Sequence, residues 1–254
     1  MLEIVQIPVL SDNYLYLIHD PVSEETAVVD PAVEDAVVAA LESRGWQLTH
    51  IFNTHHHWDH TGANLALKER YQTTIVGPSA DRDRIPGIDI AVGEGDKAYL
   101  GDVAANVFDV PGHTRGHIAY HFVDDRALFC GDTLFAMGCG RLFEGTPDQM
   151  WQSLSKLLAL PDETDVYCAH EYTLSNGKFA LSVEPENLAL VARMAEVEAA
   201  RKRGEPTVPS KLGLEKATNP FLRPMSDEIQ ETLGMLGAPW PKVFGEIRTR
   251  KDNF

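Results

Sequence analysis

Four histidines and one aspartate within the six residues from His55 to His60 restrict most strongly what this chain can fold into. Such polar side chains cannot continue a buried strand, so the apolar run before them must end in a loop. His55, His57 and Asp59 alternate and His60 follows, so an extended turn can direct the first two at one point and the last two at another. A catalytic metal site takes about three protein ligands. The segment therefore predicts the start of two metal sites and the completion of neither.

Three ligand-type side chains elsewhere follow apolar runs that we interpret as strands. They are His113 after Val-Pro-Gly, Asp132 after Phe-Cys-Gly and His170 after Tyr-Cys-Ala. Because strand ends carry reactive groups to one rim of a scaffold, we predict that these three complete the two sites. Imidazole and carboxylate suit zinc, and also iron or manganese. The two oxygens of Asp132 could bridge a pair of ions.

Two other histidines have competing interpretations. His117 could be a ligand in place of His113, but we favour His113 because it directly follows the Pro-Gly turn, and we expect His117 to support a ligand. His56 lies on the opposite alternation within the cluster, which predicts a supporting or exposed side chain. Cys130 and Cys168 are expected to be buried, since free cysteine behaves as a small apolar residue, with a thiolate ligand as the alternative.

The periodic segments predict two parts of the chain. Up to about residue 173, short β-like runs alternate with amphipathic helical patterns, as where the run 26–29 is followed by the pattern 33–41. Beyond residue 173 the pattern is helical, with Leu188, Val191 and Ala195 on one face, and several prolines interrupt the chain after residue 205. We therefore predict a main domain over residues 1–173 and a small helical domain over residues 174–254.

The composition of the chain indicates which binding partners and which cellular compartment to expect. The net charge of −16 opposes binding to nucleic acid or to an anionic membrane surface. Three cysteines without regular spacing argue against a disulfide scaffold. The N-terminal segment lacks the features of a signal peptide, and no apolar stretch approaches the ~20 residues that span a bilayer. We expect a monomer in the reducing cytoplasm that acts on a small molecule.

Five segments resemble a known family. The segment THHHWDHTG resembles the metal motif of the metallo-β-lactamase superfamily, and PGHTRGH, CGDTLF, CAHEYT and the terminal RTRKDNF resemble its hydroxyacylglutathione hydrolase (glyoxalase II) branch. The resemblance implies an α+β fold, namely a four-layer αββα sandwich that carries the catalytic site, followed by a helical C-terminal domain that binds substrate. It assigns His55, His57 and His113 to one divalent metal ion, and Asp59, His60 and His170 to a second, with Asp132 bridging. Zinc is the metal we favour, with iron and manganese as alternatives.

The same resemblance implies the reaction. Members hydrolyse the thioester of S-(2-hydroxyacyl)glutathione, such as S-D-lactoylglutathione, to glutathione and a 2-hydroxy acid, which is the second step of methylglyoxal detoxification. A metal-bridging hydroxide would attack the carbonyl, with Asp59 and Asp132 as the catalytic side chains that orient it. A thiol with a pKa near 8.5 can leave as a thiolate without a proton donor.

The resemblance also carries over a set of substrate-binding residues. They are Arg141, Tyr172, Arg248 and Lys251. The last two lie in a C-terminal segment, 241–254, that has a local excess of two positive charges despite the acidic chain. Arg141 stands where a lysine is found in animal members, which keeps the charge and changes the donor geometry. Phe143 stands where a tyrosine is found and cannot donate a hydroxyl hydrogen bond.

Three other interpretations remain at this stage. A β-lactamase or an RNA-processing nuclease of the same superfamily would share the metal motif, although the acidic charge and the N-terminus disfavour both. A persulfide dioxygenase would use one iron, and a flavodiiron protein would carry an appended flavin domain. A metal-binding protein without catalytic activity is the third, and metal stoichiometry measured together with thioester hydrolysis separates them.

Overall fold

The structure is a computed structural model that describes all residues, 1–254. The chain forms two compact units. Unit 1 comprises Met1–Asp109 and Arg115–Gly131, and unit 2 comprises Val110–Thr114 and Asp132–Phe254.

Unit 1 holds most of the strands. In chain order its elements are β1 (Glu3–Val9), β2 (Asn13–Asp20), β3 (Glu25–Val29), α1 (Glu34–Glu42), β4 (Leu48–Phe52), α2 (Trp58–Thr61), α3 (Asn64–Tyr71), β5 (Thr74–Pro78), a 3₁₀ helix (Ser79–Arg84), β6 (Ile90–Val92), β7 (Lys97–Leu100), β8 (Val103–Asp109), β9 (Ile118–Phe122) and β10 (Ala127–Gly131).

Two sheets and a helical layer make up unit 1. Strands β1 to β6 form a six-stranded sheet in chain order, antiparallel up to β3 and parallel from there. Strands β10, β9, β8 and β7 lie side by side and antiparallel. The sheets meet through aromatic rings, with Phe52 and Tyr120 centred 5.3 Å apart. The opposite face of the six-stranded sheet is covered by α1 and α3, since Val37 and Leu67 pack in one buried cluster with Ile51. Burial on both faces explains the apolar ends of β3 and β4, at Val28-Val29 and Ile51-Phe52.

Unit 2 is mainly helical. Its elements are β11 (Leu134–Phe135), β12 (Gly138–Cys139), α4 (Pro147–Leu158), β13 (Asp165–Cys168), α5 (Thr173–Val183), α6 (Leu188–Lys202), β14 (Ser210–Lys211), α7 (Leu212–Thr218), a 3₁₀ helix (Pro220–Leu222), α8 (Asp227–Leu233) and α9 (Trp240–Asp252).

Helix starts and apolar faces of unit 2 follow from the sequence. Helix α4 begins with a capping box, in which Thr146 and Gln149 exchange side-chain and backbone hydrogen bonds. Its Trp151 packs edge-on against Trp240 of α9. Helix α6 buries Leu190 and Met194. None of the helices combines the length and the hydropathy that a membrane-spanning segment needs.

The predicted strand at 26–29 and the predicted helical patterns at 33–41 and from Leu188 agree with β3, α1 and α6, and the apolar runs before the three predicted ligands coincide with or directly follow β8, β10 and β13. The Gly/Asp-rich stretch 85–96 contains β6 at Ile90–Val92, a strand that the sequence does not reveal because three residues are too few for a periodic signal. The domain boundary after residue 173 stays a prediction. The two compact units divide the chain differently, because residues 132–173 belong to unit 2.

Candidate metal centre

The loop after β4, together with α2, carries the first cluster of ligand-type side chains, within unit 1. His55 and His60 are buried, and His57 and Asp59 are half-buried. The Nε2 atom of His55 lies 3.0 Å from Nδ1 of His57. The Nε2 atom of His60 lies 3.5 Å from Oδ2 of Asp59. The alternation predicted from the sequence thus brings these side chains together as two neighbouring pairs.

A buried carboxylate at the end of β3 fixes the rings of this cluster. Asp30 accepts hydrogen bonds from the backbone N–H of Thr54 at 2.8 Å, from its hydroxyl at 2.7 Å and from Nδ1 of His60 at 3.0 Å. Because the Thr54 hydroxyl donates to Asp30, it accepts from Nδ1 of His55 at 3.1 Å. Both histidines therefore carry their proton on Nδ1 and present the lone pair of Nε2 to the neighbouring ligand atoms.

Asn13 fixes the aspartate of the cluster. Its side-chain amide, at the start of β2, donates to Oδ2 of Asp59 at 3.0 Å and approaches the Asp59 carbonyl at 3.4 Å. Sequence reasoning missed both Asn13 and Asp30. Asp30 ends an apolar strand, Val28-Val29, in the same manner as the predicted ligands, so the strand-end rule would have found it. Asn13 gives no such signal, because 46 residues separate it from its partner.

The two histidines with competing interpretations lie beside the cluster. His117 is buried, donates from Nδ1 to the carbonyl of Ile118 at 3.0 Å and stacks on His55 with ring centroids 4.5 Å apart. A stacked ring supports His55 through its face, which agrees with the predicted supporting role. His56 points its Nδ1 at Asp81 instead, at 3.1 Å.

The second cluster lies in unit 2 and centres on Asp132. Its Oδ2 atom is 3.3 Å from Nε2 of His113, and its Oδ1 atom is 3.3 Å from Nε2 of His170. His113 donates from Nδ1 to the backbone carbonyl of Arg141 at 2.9 Å. The His170 ring stacks on Tyr172, with centroids 4.7 Å apart and nearly parallel planes. One carboxylate is thus placed between two imidazoles, one at each oxygen.

The spacing of these atoms fits metal ligands. Tetrahedral zinc with bonds of about 2.0–2.1 Å separates its ligand atoms by about 3.3 Å. The four pairs of ligand atoms described above are 3.0, 3.5, 3.3 and 3.3 Å apart. Because Nδ1 of His113 donates to a carbonyl, its Nε2 atom is the nitrogen that faces the carboxylate oxygen of Asp132, an arrangement that a divalent cation between the two atoms would stabilise. The donor set therefore suits divalent metal ions.

The predicted substrate-binding cations lie close together in unit 2. Burial, then the charges of Arg248 and Arg141, lower the pKa of Lys251, while Asp252 opposes the shift. The Arg141 side chain is largely exposed, 3.9 Å from Asp252. Arg248, which the resemblance assigns to substrate binding, has little contact with solvent. It is buried, donates to the Cys139 carbonyl at 2.9 Å and pairs with Asp252 at 2.8 Å.

Two aromatic side chains border the Asp132 cluster. Tyr172 is 37% exposed while its ring covers His170. Phe143 is exposed, with its ring 5.1 Å from that of His113. Phe143, which lacks the hydroxyl group of the tyrosine found in animal members, therefore lies next to His113, a predicted metal ligand. The cysteines Cys130, Cys139 and Cys168 are all free and buried.

Comparison with known proteins identifies the family. Residues 11–170 match the metallo-beta-lactamase superfamily, and residues 171–254 match the C-terminus of hydroxyacylglutathione hydrolase. The hydroxyacylglutathione hydrolase of Methylococcus capsulatus is 60% identical over 254 residues, which cover 100% of this chain and 99% of that protein. The chain belongs to the hydroxyacylglutathione hydrolase family.

Solved structures extend this family assignment to the fold. ETHE1 from Myxococcus xanthus superposes with a TM-score of 0.67 at 27% identity, covering 99% of this chain and 98% of that one. The protein TTHA1623, solved in a di-iron-bound form, gives a TM-score of 0.60 at 26% identity, covering 86% and 98%. These matches confirm the predicted metallo-β-lactamase fold with its helical C-terminal region, and the predicted enzyme class, a hydrolase. The fold and the histidine–aspartate clusters indicate divalent metal ions.

Proposed function

We propose that this member of the hydroxyacylglutathione hydrolase family hydrolyses S-(2-hydroxyacyl)glutathione, with S-D-lactoylglutathione as substrate, to glutathione and D-lactate. This is the second step of methylglyoxal detoxification. The observation that carries the proposal is the set of ligand-atom pairs 3.0–3.5 Å apart in a chain 60% identical to a protein with that name.

The proposal includes two metal ions, with zinc as the favoured element. His55, His57 and His113 would hold one ion, Asp59, His60 and His170 the other, and Asp132 would bridge them. Imidazole and carboxylate donors support zinc, and equally admit iron or manganese. The di-iron form of TTHA1623 makes iron the specific competitor.

The side chains of the clusters have separate roles in this reaction. Bound divalent ions would supply a water of lowered pKa and polarise the thioester carbonyl. Asp59 and Asp132 orient that water as hydrogen-bond acceptors, and Asn13 holds Asp59 through its amide. A thiol leaves as a thiolate, because its pKa is about 8.5, so the chain needs no general acid beside the sulfur.

The cations of unit 2 provide the site for the glutathione carboxylates in this proposal. Arg141 and Lys251 are the accessible donors, and their charges offset the net charge of −16 that would otherwise repel an anionic substrate. Tyr172 adds a ring and a hydroxyl beside His170. Arg248 acts within the protein, since Cys139 and Asp252 bind its guanidinium. Among the four predicted substrate-binding residues, Arg248 therefore has the least structural support for a direct contact with substrate.

The remaining parts of the proposal concern organisation and location. Residues 1–173 form the catalytic part and residues 174–254 the substrate-binding part, and family models that meet at residues 170 and 171 support this division. Three free, buried cysteines support a reducing cytoplasm. We propose a monomer without nucleic-acid or membrane partners.

Turnover and metal content measured on one preparation test the function. We expect hydrolysis of S-D-lactoylglutathione, followed by loss of the thioester absorbance, with about two metal ions per chain. A β-lactam and a precursor tRNA should remain uncleaved. One iron per chain with oxygen consumption, or hydrolysis of the β-lactam in preference to the thioester, would overturn the proposal.

Removal of the Asn13 amide should weaken the site without altering the fold. Because Asn13 orients Asp59, we expect Asn13→Ala to lower metal affinity and kcat/KM by about 10- to 100-fold, as for other side chains that orient metal ligands. Metal titration and steady-state kinetics measure both. Gln6→Ala, in the neighbouring strand of the same hairpin, is the matched control and should change neither. An unchanged affinity in Asn13→Ala would contradict the role of this amide.

A further inference from the structure

Asp81 is a buried carboxylate near the metal-binding loop that no proposed ligand set uses. It lies in the 3₁₀ helix Ser79–Arg84, and its side chain is fully buried. A buried charge is costly unless it is paired and hydrogen-bonded. Asp81 has such partners, because Arg84 donates from Nε to its Oδ1 atom at 3.1 Å and His56 lies 3.1 Å from its Oδ2 atom.

His56 completes a closed network with these two residues. The Arg84 guanidinium, which is always a donor, lies with Nη1 3.1 Å from Nε2 of His56. Nε2 therefore accepts, and Nδ1 carries the proton that is donated to Asp81. Both ring nitrogens of His56 are engaged by the network, which turns this ring away from the ligand atoms of His55 and His57. His56, the histidine of the motif that is assigned to neither ion, thus anchors the loop.

Asp81 also contacts the last part of the PGHTRGH segment, residues 115–117, which belongs to unit 1. A side chain on Gly116 would overlap the Asp81 carboxylate, so only glycine permits this close approach. Arg115 places its Nε atom 3.9 Å from Asp81. The next residue, His117, stacks on His55. Two histidine-bearing segments are therefore held against one carboxylate.

We infer that Asp81 is a positioning residue, which holds the loop of His55 and His57 in its metal-binding conformation through His56 and Arg84. The inference rests on the proposed metal site. It explains why the motif has a middle histidine and why Gly116 precedes His117. Without the network, the loop must lose conformational entropy when it binds metal, which weakens binding.

Zinc affinity of the metal-free protein, measured by competition with a chromophoric chelator, tests this role. We expect Asp81→Asn and His56→Ala each to weaken zinc binding by about 10- to 100-fold, the range for side chains that orient ligands. The double variant should bind no more weakly than the weaker single variant, because residues in one network are non-additive. Asp83→Asn, an exposed aspartate of the same 3₁₀ helix, is the matched control.

A role limited to stability would lower the unfolding temperature of the metal-free protein and leave zinc affinity unchanged. Should Asp81→Asn fail to fold, Arg84→Lys tests the same network, because it keeps the charge and removes the planar donor geometry. Zinc binding within twofold of wild type, or effects of Asp81→Asn and His56→Ala that multiply, would overturn the inference. Failure of the wild type to hydrolyse the thioester would overturn the proposed function and leave the Asp81 result intact.

Discussion

The Asp132→Ala variant is expected to lose its metal ions and at least about 10³-fold of kcat/KM for S-D-lactoylglutathione. The two oxygens of Asp132 lie 3.3 Å from the Nε2 atoms of His113 and His170, so the substitution removes the one group common to both. Loss of a single preorganised donor already costs about 10²–10³-fold, and here metal binding is lost as well. Metal analysis by mass spectrometry and the thioester assay measure the two effects on the same sample.

Two further variants test whether the loss of metal and activity is specific to the carboxylate of Asp132. Asp132→Asn keeps the shape and one acceptor oxygen, so it should retain more metal than the alanine variant and less than wild type. Asp124→Ala, at the exposed turn between β9 and β10, should retain metal and activity. An Asp132→Ala protein that is folded, fully active and still loaded with metal would contradict the proposed site.

Metal removal is expected to abolish activity and lower the unfolding temperature by roughly 8–16 °C. A ligand present at 1,000 times its Kd stabilises a protein by about 4 kcal/mol, and each kcal/mol corresponds to about 2–4 °C for a chain of this size. Dialysis against a chelator, followed by calorimetry and the thioester assay, checks both values. The metal-free protein should remain folded, because the core around Ile51 and Leu67 contains none of the ligands.

Restoring the activity of the metal-free protein with different ions identifies the metal that the site prefers. Zinc, iron(II) and manganese(II) are each expected to restore activity to some extent, because imidazole and carboxylate accept all three. Magnesium should fail, since it favours oxygen ligands. Full activity of a protein shown by mass spectrometry to be free of metal would refute the dependence on metal.

The separation of interacting residues along the chain decides how much of the candidate site the sequence predicts. The clustering of His55, His57, Asp59 and His60 is local, so alternation alone predicted their pairing. His113, Asp132 and His170 were predicted from strand ends, and the assignment of all seven to two ions remains a prediction.

Long-range hydrogen bonds were not accessible from the sequence. Asp81 binds His56 across 25 residues, and no periodic pattern reports such a pair. Arg248 stays a predicted substrate-binding residue, and its burial and its ion pair with Asp252 one helical turn later were not predicted. A charge in a basic segment predicts attraction for anions, but packing decides which charges reach the solvent.

The main chain and the side chain of Arg141 make different contacts. His113 is oriented by the main-chain carbonyl of Arg141, whereas the Arg141 side chain extends outward. Under the proposed role of Arg141 in binding a glutathione carboxylate, substitutions at this position are expected to change the affinity for the glutathione part of the substrate while the imidazole keeps its direction. Because any residue at position 141 supplies the same carbonyl, the side chain there can vary while this hydrogen bond to His113 is kept, and a library restricted to that codon is the natural starting point for testing the proposed role of Arg141.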